Sequence, residues 1–219
     1  EMTSSLVGSE MCIRDRYIAR SDYEHLIGEY KDTYTFFDSS KRANTLSYYC
    51  KQNKLSEDDV LNFLALYSDI ADLRKGSSFF RKHNDSYISS HLVSEKAYLD
   101  SILHEIDPNI LLDNEQRRVV LSDEDYTLII AGAGAGKTTT VAAKVRYLVE
   151  KKHVSPSQIL VISFTNKAVG ELRERINTGL LIPCPITTFH STGYAILRKQ
   201  DVDKKKIVSD GFLFNAINN

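Results

Sequence analysis

The fold is indicated most clearly by the stretch Tyr126-Thr127-Leu128-Ile129-Ile130-Ala131-Gly132-Ala133-Gly134-Ala135-Gly136-Lys137-Thr138. Its first part, Tyr126 to Ala131, is a short apolar run rich in strand-forming residues, which predicts a β-strand. A glycine-rich turn follows, and a helical pattern begins at Lys137. Strand, glycine-rich turn and helix in this order are the setting of a phosphate-binding loop. The alternative interpretation is an ordinary flexible glycine loop, which needs neither a strand before it nor a helix after it.

The chemistry of phosphate binding explains the residue types of this loop. Glycines let successive backbone N–H groups turn inward without a clash from Cβ, and the following helix adds its positive end. Lys137 is expected to reach the β- and γ-phosphates of a nucleotide, and the Thr138 hydroxyl to complete the shell of a Mg²⁺ ion, so both are predicted catalytic residues. The predicted phosphate-binding residues are Ala131, Gly132, Ala133, Gly134, Ala135, Gly136, Lys137, Thr138 and Thr139.

Strand and helix patterns alternate after the loop. A helix is predicted from Lys137 to about Lys152, and Ser155-Pro156-Ser157 breaks it. This alternation is typical of βαβ units with a parallel sheet between helices, so the chain is predicted to be α/β, with part of a P-loop nucleotide-binding domain. The later predicted elements are a strand at Ile159 to Phe164, a helix at Lys167 to Ile176 and a strand at Ile186 to Phe189.

The region before the loop, residues 17–106, has helical periodicity. Ser56 followed by three acids predicts a helix start, because a hydroxyl caps the first turn and acids suit the positive end of the helix dipole. Gly76 is predicted to end that helix. Asp123-Glu124-Asp125 is interpreted as a solvated turn. The predicted apolar stripes are Leu26, Tyr30, Tyr34 and Phe37; Val60, Leu64, Tyr67 and Ala71; and Leu92, Leu99, Ile102, Leu103 and Ile106.

Composition narrows the class of protein. The chain has 219 residues, 28 Lys+Arg and 29 Asp+Glu, so its formal charge of −1 gives no global basic field, although a local basic groove is compatible with it. No apolar run is long enough for a membrane span, and no secretory signal is visible, so we expect a cytoplasmic protein. Cys12, Cys50 and Cys184 lie far apart and suit a reducing compartment rather than a disulfide framework or a zinc site.

The first sixteen residues are set apart from the fold. Leu6-Val7-Gly8-Ser9-Glu10-Met11-Cys12-Ile13-Arg14-Asp15 resembles the translation of a transposase adapter used to tag DNA for sequencing. The alternative is a disordered natural N-terminus. On the first interpretation the biological chain begins upstream, and residues 1–16 are an artefact.

Four ordered segments resemble the UvrD/Rep group of superfamily 1 helicases. The first is the loop itself, Ala131 to Thr138, in which alanine occupies the first glycine position of the general motif. The second, Leu112-Asp113-Asn114-Glu115-Gln116-Arg117, resembles the family's adenine-reading segment, in which Gln116 is the matching glutamine. Taken alone, Gln116 would be a polar residue on a connecting helix. The resemblance implies that it pairs with adenine.

The other two segments resemble contacts to single-stranded DNA. Ser163-Phe164-Thr165-Asn166-Lys167-Ala168 resembles the family's first such segment, and Thr187-Thr188-Phe189-His190-Ser191 resembles the next. The resemblance implies that Thr165 and Asn166 contact phosphates of the DNA and that Phe164 stacks on a base. It also implies that His190 lies beside the bound DNA strand. Without it, the first segment would be a strand before a charged helix, and His190 a structural or solvent-facing histidine.

The resemblance implies a RecA-like first motor domain in residues 107–219, cut short, after the helical region 17–106. It also implies an ATP-dependent DNA helicase that uses ATP and Mg²⁺, translocates on single-stranded DNA with 3′–5′ polarity, and unwinds duplexes or junctions, with no membrane partner. Two departures are Thr139, where many members have arginine, and Gly170 in a helix. A weaker similarity to the helicase IV branch rests on two sets of residues: Asn84, Tyr87, Ile88, Leu92, Lys96 and Leu99 before the adenine segment, and Lys144, Tyr147, Leu148 and Ser155-Pro156-Ser157 after the loop.

Two alternatives for function stay open at this stage. The acidic Mg²⁺ ligand, the arginine finger and the second motor domain are not found in the sequence, so we expect the chain alone to be inactive. A P-loop module that binds nucleotide without turnover, as a regulator or a docking piece, is therefore the alternative function. A third interpretation takes Arg74-Lys75 and Phe79-Phe80-Arg81-Lys82-His83 as a single-strand binding surface, although a helix end followed by a loop would look the same.

Overall fold

The computed structural model describes residues 16–199, with the side chains of 73–77 and 199 left out. Contacts divide the chain into two compact units, residues 1–144 and 145–219. The adapter-like segment Leu6 to Asp15 lies outside the described residues. The partition of the sequence at residue 106 into a helical region and a motor domain stays a prediction.

The first unit is helical over most of its described length. A hydrophobic core of Phe37, Leu46, Cys50, Val60 and Leu64 joins its first three helices. The predicted stripes supply this core, because Phe37 comes from the first stripe, and Val60 and Leu64 from the second. Its helices are α1 Arg20–Arg42, α2 Leu46–Gln52, α3 Glu57–Ala71, α4 Leu73–Ser94, α5 Lys96–Ser101 and α6 Asn114–Leu121, and α7 Lys137–Glu150 crosses into the second unit.

Helix α3 begins as predicted and ends earlier than predicted. The Ser56 hydroxyl accepts a hydrogen bond from the backbone N–H of Asp59 at 3.4 Å, which caps the helix. The helix ends at Ala71 because Asp72 has an extended backbone with ψ of 110°. The prediction that Gly76 ends it was wrong, since Gly76 lies within α4.

Asp123-Glu124-Asp125 is solvated as predicted, since Asp123 and Asp125 are exposed and Glu124 is half-buried. Two of its carboxylates also have partners that the sequence did not predict. Glu124 accepts a hydrogen bond from the Arg20 N–H at 2.8 Å, and Asp125 accepts from the Ser21 N–H at 2.6 Å and the Ser21 hydroxyl at 2.9 Å. These carboxylates satisfy N–H groups of the first turn of α1, where negative charge is favoured by the helix dipole. The segment before the phosphate loop thus holds the start of the first helix.

The second unit contains a two-stranded parallel sheet. Strand β1 Val161–Ser163 pairs with β2 Ile186–Thr188, with Ser163 opposite Thr188. Helix α8 Asn166–Arg173, a π-helical segment Glu174–Gly179 and then α9 Phe189–Lys199 complete this unit, and a 3₁₀ turn Pro156–Gln158 precedes β1. Buried Val169 and Leu172 of α8, with Ile176, form its core together with Val161 and Ile186 of the strands.

The predicted strand Tyr126 to Ala131 is not formed. No strand pairs with this segment among the residues that the structure describes, and its apolar side chains are exposed, with Leu128 at 85% and Ile130 at 89%. A β-strand needs a neighbour to accept and donate its backbone hydrogen bonds, so strand-forming residues alone do not produce one. The parallel βαβ order is confirmed for β1, α8 and β2. It fits an α/β chain.

Within residues 16–199 no helix is both long enough and apolar enough to cross a bilayer.

Candidate functional site

The phosphate loop lies at the start of α7 and has the backbone that its glycines predict. Gly134 and Gly136 have φ of +76° and +73°, in the left-handed region that glycine adopts without a Cβ penalty. A Cβ at Gly132 or Gly134 would meet nothing within 4 Å, so the loop has an open side there. The loop carbonyl of Gly136 accepts from the Thr140 N–H at 2.8 Å, which begins the helical hydrogen bonding of α7.

Lys137 lies exposed over this loop. Its Nζ atom donates to the carbonyl oxygens of Gly132 at 2.6 Å and Ala131 at 3.1 Å. Among residues 16–199, the ammonium group is therefore held by the backbone of the loop and not by a carboxylate. To reach a phosphate, Lys137 would exchange these carbonyls for a negatively charged acceptor, which forms the stronger charge-assisted hydrogen bond.

Gln116 contacts the loop from helix α6. Its Oε1 atom accepts from the Asp113 N–H at 3.0 Å, and the Asp113 carboxylate accepts from the Gln116 N–H at 2.8 Å, forming a capping box. Its Nε2 atom donates to the Ala135 carbonyl at 3.3 Å. A Cβ added to Gly136 would lie 2.5 Å from Nε2, so this glycine permits the close approach of the amide. The structure brings together two segments nineteen residues apart in the sequence.

Helix α6 is held by side chains that the sequence did not single out. Arg118 pairs with Asp85 of α4 at 2.6 Å, and Arg117 pairs with Asp100 of α5 at 2.7 Å. Lys144 of α7 donates to the carbonyls of Val120 at 2.9 Å and of Ser122, at the C-terminal end of α6. The two arginines precede three apolar residues on one short helix, and this pattern was the only sequence signal for them. Their partners lie far away in the chain, and so could not be assigned.

The pKa of the Asp100 carboxyl is lowered. Lys96, 2.7 Å away, is the main cause through its hydrogen bond, and Arg117 adds to the effect. Both cations favour the ionised carboxylate. Asp100 therefore joins α5 to α6 as a charged group.

In the second unit, the predicted DNA-contact residues lie at one edge of the sheet. Phe164 follows β1 and His190 follows β2, and because the strands are parallel and in register, both lie at the carboxyl ends. Their ring centroids are 6.5 Å apart with planes inclined by 60°. Phe164 is 80% exposed. Within the described residues of this unit, the aromatic rings at this edge are therefore exposed and do not pack into the apolar core.

The neighbouring polar residues have local roles. The Thr165 hydroxyl accepts from the Ala168 N–H at 3.2 Å and caps α8, while its own hydrogen stays available for donation. Asn166 is exposed at the first position of that helix. Phe189, 69% exposed and 6.3 Å from the His190 ring, was not among the predicted site residues. An aromatic residue directly after a strand and next to His190 was the signal that could have found it.

The aromatic and basic run at residues 79–83 lies inside α4, so its interpretation as a helix end was wrong. Phe79 is 54% exposed, Arg81 and Lys82 are exposed, and His83 hydrogen-bonds the Arg16 carbonyl at 2.9 Å. The side chains of Arg74 and Lys75 lie outside the described ones.

Comparison with known proteins agrees with the order of the motifs. Residues 112–215 match the UvrD/REP helicase N-terminal domain family. The chain is similar to a probable DNA helicase II homolog of Mycoplasma capricolum, at 43% identity over 47% of this chain and 14% of the relative. It is also similar to ATP-dependent DNA helicase UvrD1 of Mycobacterium leprae, at 45% identity over 41% of this chain and 12% of the relative. ATP-dependent DNA helicase PcrA of Bacillus subtilis is 41% identical over 42% of this chain and 13% of its own length.

The chain thus spans about one seventh of the length of these relatives. The resemblance to UvrD/Rep-type helicases is confirmed by the match of residues 112–215 to the UvrD/REP helicase N-terminal domain family.

Proposed function

We propose that this chain is the ATP-binding part of an ATP-dependent DNA helicase of the UvrD/Rep type. The observation that carries the proposal is the glycine loop at the start of α7, with Lys137 over it and the Gln116 amide against it. The matched relatives named as ATP-dependent DNA helicases support the same activity. The proposed protein acts in the cytoplasm, translocates on single-stranded DNA with 3′–5′ polarity and unwinds duplexes and junctions.

The residues of the loop fit a nucleoside triphosphate. Left-handed glycines, an open side and the start of a helix can surround phosphate oxygens with N–H donors. The nucleotide-binding residues are those predicted from the sequence, Gln116 and 131–139, with Lys137 stabilising the charge that develops on the phosphates. ATP supplies the phosphoanhydride whose cleavage releases free energy.

Magnesium is part of the proposal through Thr138. Its hydroxyl, in the first turn of α7 and half-buried, is the ligand that this chain would contribute. Mg²⁺ would neutralise phosphate charge there. Among residues 16–199 no group of three or more His, Cys, Asp or Glu side chains could hold a metal ion by itself. The proposed ion is therefore held mainly by phosphate oxygens and ligands other than such a group.

The proposed DNA contacts are Phe164, Thr165, Asn166 and His190 at the edge of the β1–β2 sheet. Exposed rings stack on bases of any sequence, and the hydroxyl and amide donate to phosphates. The relation to the helicase IV branch and the assignment of residues 107–219 to a first motor domain of RecA-like fold belong to the same proposal.

The test is unwinding by the full-length gene product. Duplexes with a 3′ or a 5′ single-stranded tail are offered with ATP and Mg²⁺, and Lys137→Ala serves as the inactive control. We expect DNA-stimulated hydrolysis and unwinding of the 3′-tailed duplex. ATP binding without DNA-stimulated hydrolysis would contradict the proposal and favour the binding module without turnover.

A further inference from the structure

The hydrogen bonds of the Gln116 amide leave one acceptor and one donor position open. A side-chain amide has two lone pairs on oxygen and two hydrogens on nitrogen. In the structure one lone pair of Oε1 is used by the Asp113 N–H, and one hydrogen of Nε2 is used by the Ala135 carbonyl. No other residue that the structure describes takes the remaining positions, so the half-buried amide retains one lone pair and one hydrogen for a ligand.

The Asp113 N–H and the Ala135 carbonyl also determine the positions of the oxygen and the nitrogen of the Gln116 amide. A flipped amide would set its NH₂ group against the Asp113 N–H and its oxygen against the Ala135 carbonyl, so both hydrogen bonds would be replaced by repulsion. The order of donor and acceptor offered to a base is thereby defined. Adenine presents an N6 donor and an N7 acceptor, which this order complements, while guanine presents two acceptors, O6 and N7.

We propose that Asp113 is a positioning residue for base selection, which locks the Gln116 amide in the orientation that accepts adenine and rejects guanine. The inference rests on the proposed function, since it assumes that Gln116 reads the base. Asp113 acts twice: its N–H holds Oε1, and its carboxylate, 2.8 Å from the Gln116 N–H, fixes the first turn of α6. Ala135 supplies the second contact, from the phosphate loop itself.

The experiment measures the ratio of GTP to ATP dissociation constants by displacement of a fluorescent ATP analogue from the full-length gene product. Asp113→Ala removes the carboxylate that fixes the turn, and we expect the ratio to fall about fivefold, the size of one lost cap. Asp113→Asn keeps an oxygen acceptor and caps helices equally well, so we expect it to retain the ratio within about twofold.

Two further variants make the result specific. Glu115→Ala removes an exposed acid from the same first turn without touching the Gln116 network, so it controls for the charge at the helix start. Gln116→Ala should lower the ratio at least as far as Asp113→Ala. The double variant Asp113→Ala with Gln116→Ala should show no additional loss, because one residue acts through the other.

The outcomes distinguish the positioning role of Asp113 from the base-reading role of Gln116. An unchanged ratio in Asp113→Ala, with a lowered ratio in Gln116→Ala, would overturn the positioning role and leave the base-reading role intact. An equal loss of ATP and GTP affinity in Asp113→Ala, or a lower melting temperature alone, would likewise reduce Asp113 to a helix cap. An unchanged ratio in Gln116→Ala would remove base reading from the proposed function, and this inference with it.

Discussion

The phosphate loop and the edge of the β1–β2 sheet hold their functional groups in different ways. At the loop, Lys137 and Gln116 already make hydrogen bonds to the backbone. At the sheet edge, Phe164 and Phe189 stand exposed. The first arrangement orients polar groups before a ligand binds, which favours selectivity and transition-state stabilisation. The second offers exposed aromatic faces that can stack on any base, which is what the proposed contacts to single-stranded DNA require.

The largest expected effect tests whether Lys137 serves the ligand rather than the fold. Lys137→Ala in the full-length gene product should lower the rate of ATP hydrolysis by about 10²-fold or more, because charge stabilisation at such a position is worth several kcal/mol. The melting temperature should stay the same, since Lys137 is exposed. Steady-state hydrolysis and thermal unfolding are the two measurements.

Lys144 of the same helix is the matched control for that prediction. It binds the carbonyls of Val120 and Ser122, so Lys144→Ala should lower stability by about 1–2 kcal/mol. The same change in hydrolysis rate and melting temperature in both variants would contradict the prediction that Lys137 serves ATP hydrolysis and Lys144 serves stability.

The next effect tests the sheet edge. Phe164→Ala and His190→Ala should each weaken single-stranded DNA binding by about 1–3 kcal/mol, the value of one stacked base, with ATP affinity unchanged. Fluorescence anisotropy with a labelled oligonucleotide measures it. Phe79→Ala removes another exposed phenylalanine, from α4, and should have no effect. A loss in Phe79→Ala, with none in Phe164→Ala, would move the DNA site to the aromatic and basic run of α4.

A smaller effect separates stability from function within the second unit. Leu181 has a left-handed backbone, with φ of +56°, which is unfavourable for leucine. Its side chain is 79% exposed, so burial does little to offset this strain. Asparagine tolerates this conformation better, so Leu181→Asn should raise the free energy of unfolding by about 0.5–1 kcal/mol. Urea unfolding measures the gain. DNA affinity should not change, and a destabilised variant would show that Leu181 makes contacts of greater value.

The smallest effect concerns the support of α6 in the first unit. The pKa of Asp100 is lowered mainly by Lys96 and then by Arg117, so its ionisation stabilises the folded state above its unfolded pKa. That contribution is lost as pH falls through the lowered folded pKa. Asp100→Asn should therefore make the melting temperature fall less between pH 6 and pH 2.5. Identical pH curves for the two proteins would show that the pair adds nothing to stability.

Local signals in the sequence predicted local structure well. The Ser56 cap and the stripe of Val60, Leu64 and Tyr67 were confirmed, because a cap and a helical period are set by neighbours in the chain. The apolar runs Tyr126 to Ala131 and Ile159 to Phe164 look alike in sequence, yet only the second contains a strand, residues 161–163. Strand formation depends on a partner strand elsewhere in the chain, here β2. The residues of a single apolar run do not show whether such a partner exists.

The candidate site shows the same limit. The loop, the start of α7 and the identity of Gln116 could be read from motif order. The hydrogen bond from Gln116 to Ala135 could not, since it depends on how α6 is held by Asp85, Asp100 and Lys144. The partners of Glu124 and Asp125 could not be predicted for the same reason, because they lie 104 residues earlier.

That long-range cap has a consequence for the order in which a growing polypeptide acquires its structure. The contacts among α1, α2 and α3 link residues close in sequence and can form early during translation, whereas the first turn of α1 must wait for residues 124 and 125. Closing a loop of about a hundred residues is slow compared with forming a helix. During synthesis these two carboxylates can therefore cap the first turn of α1 only after residues 124 and 125 have emerged from the ribosome.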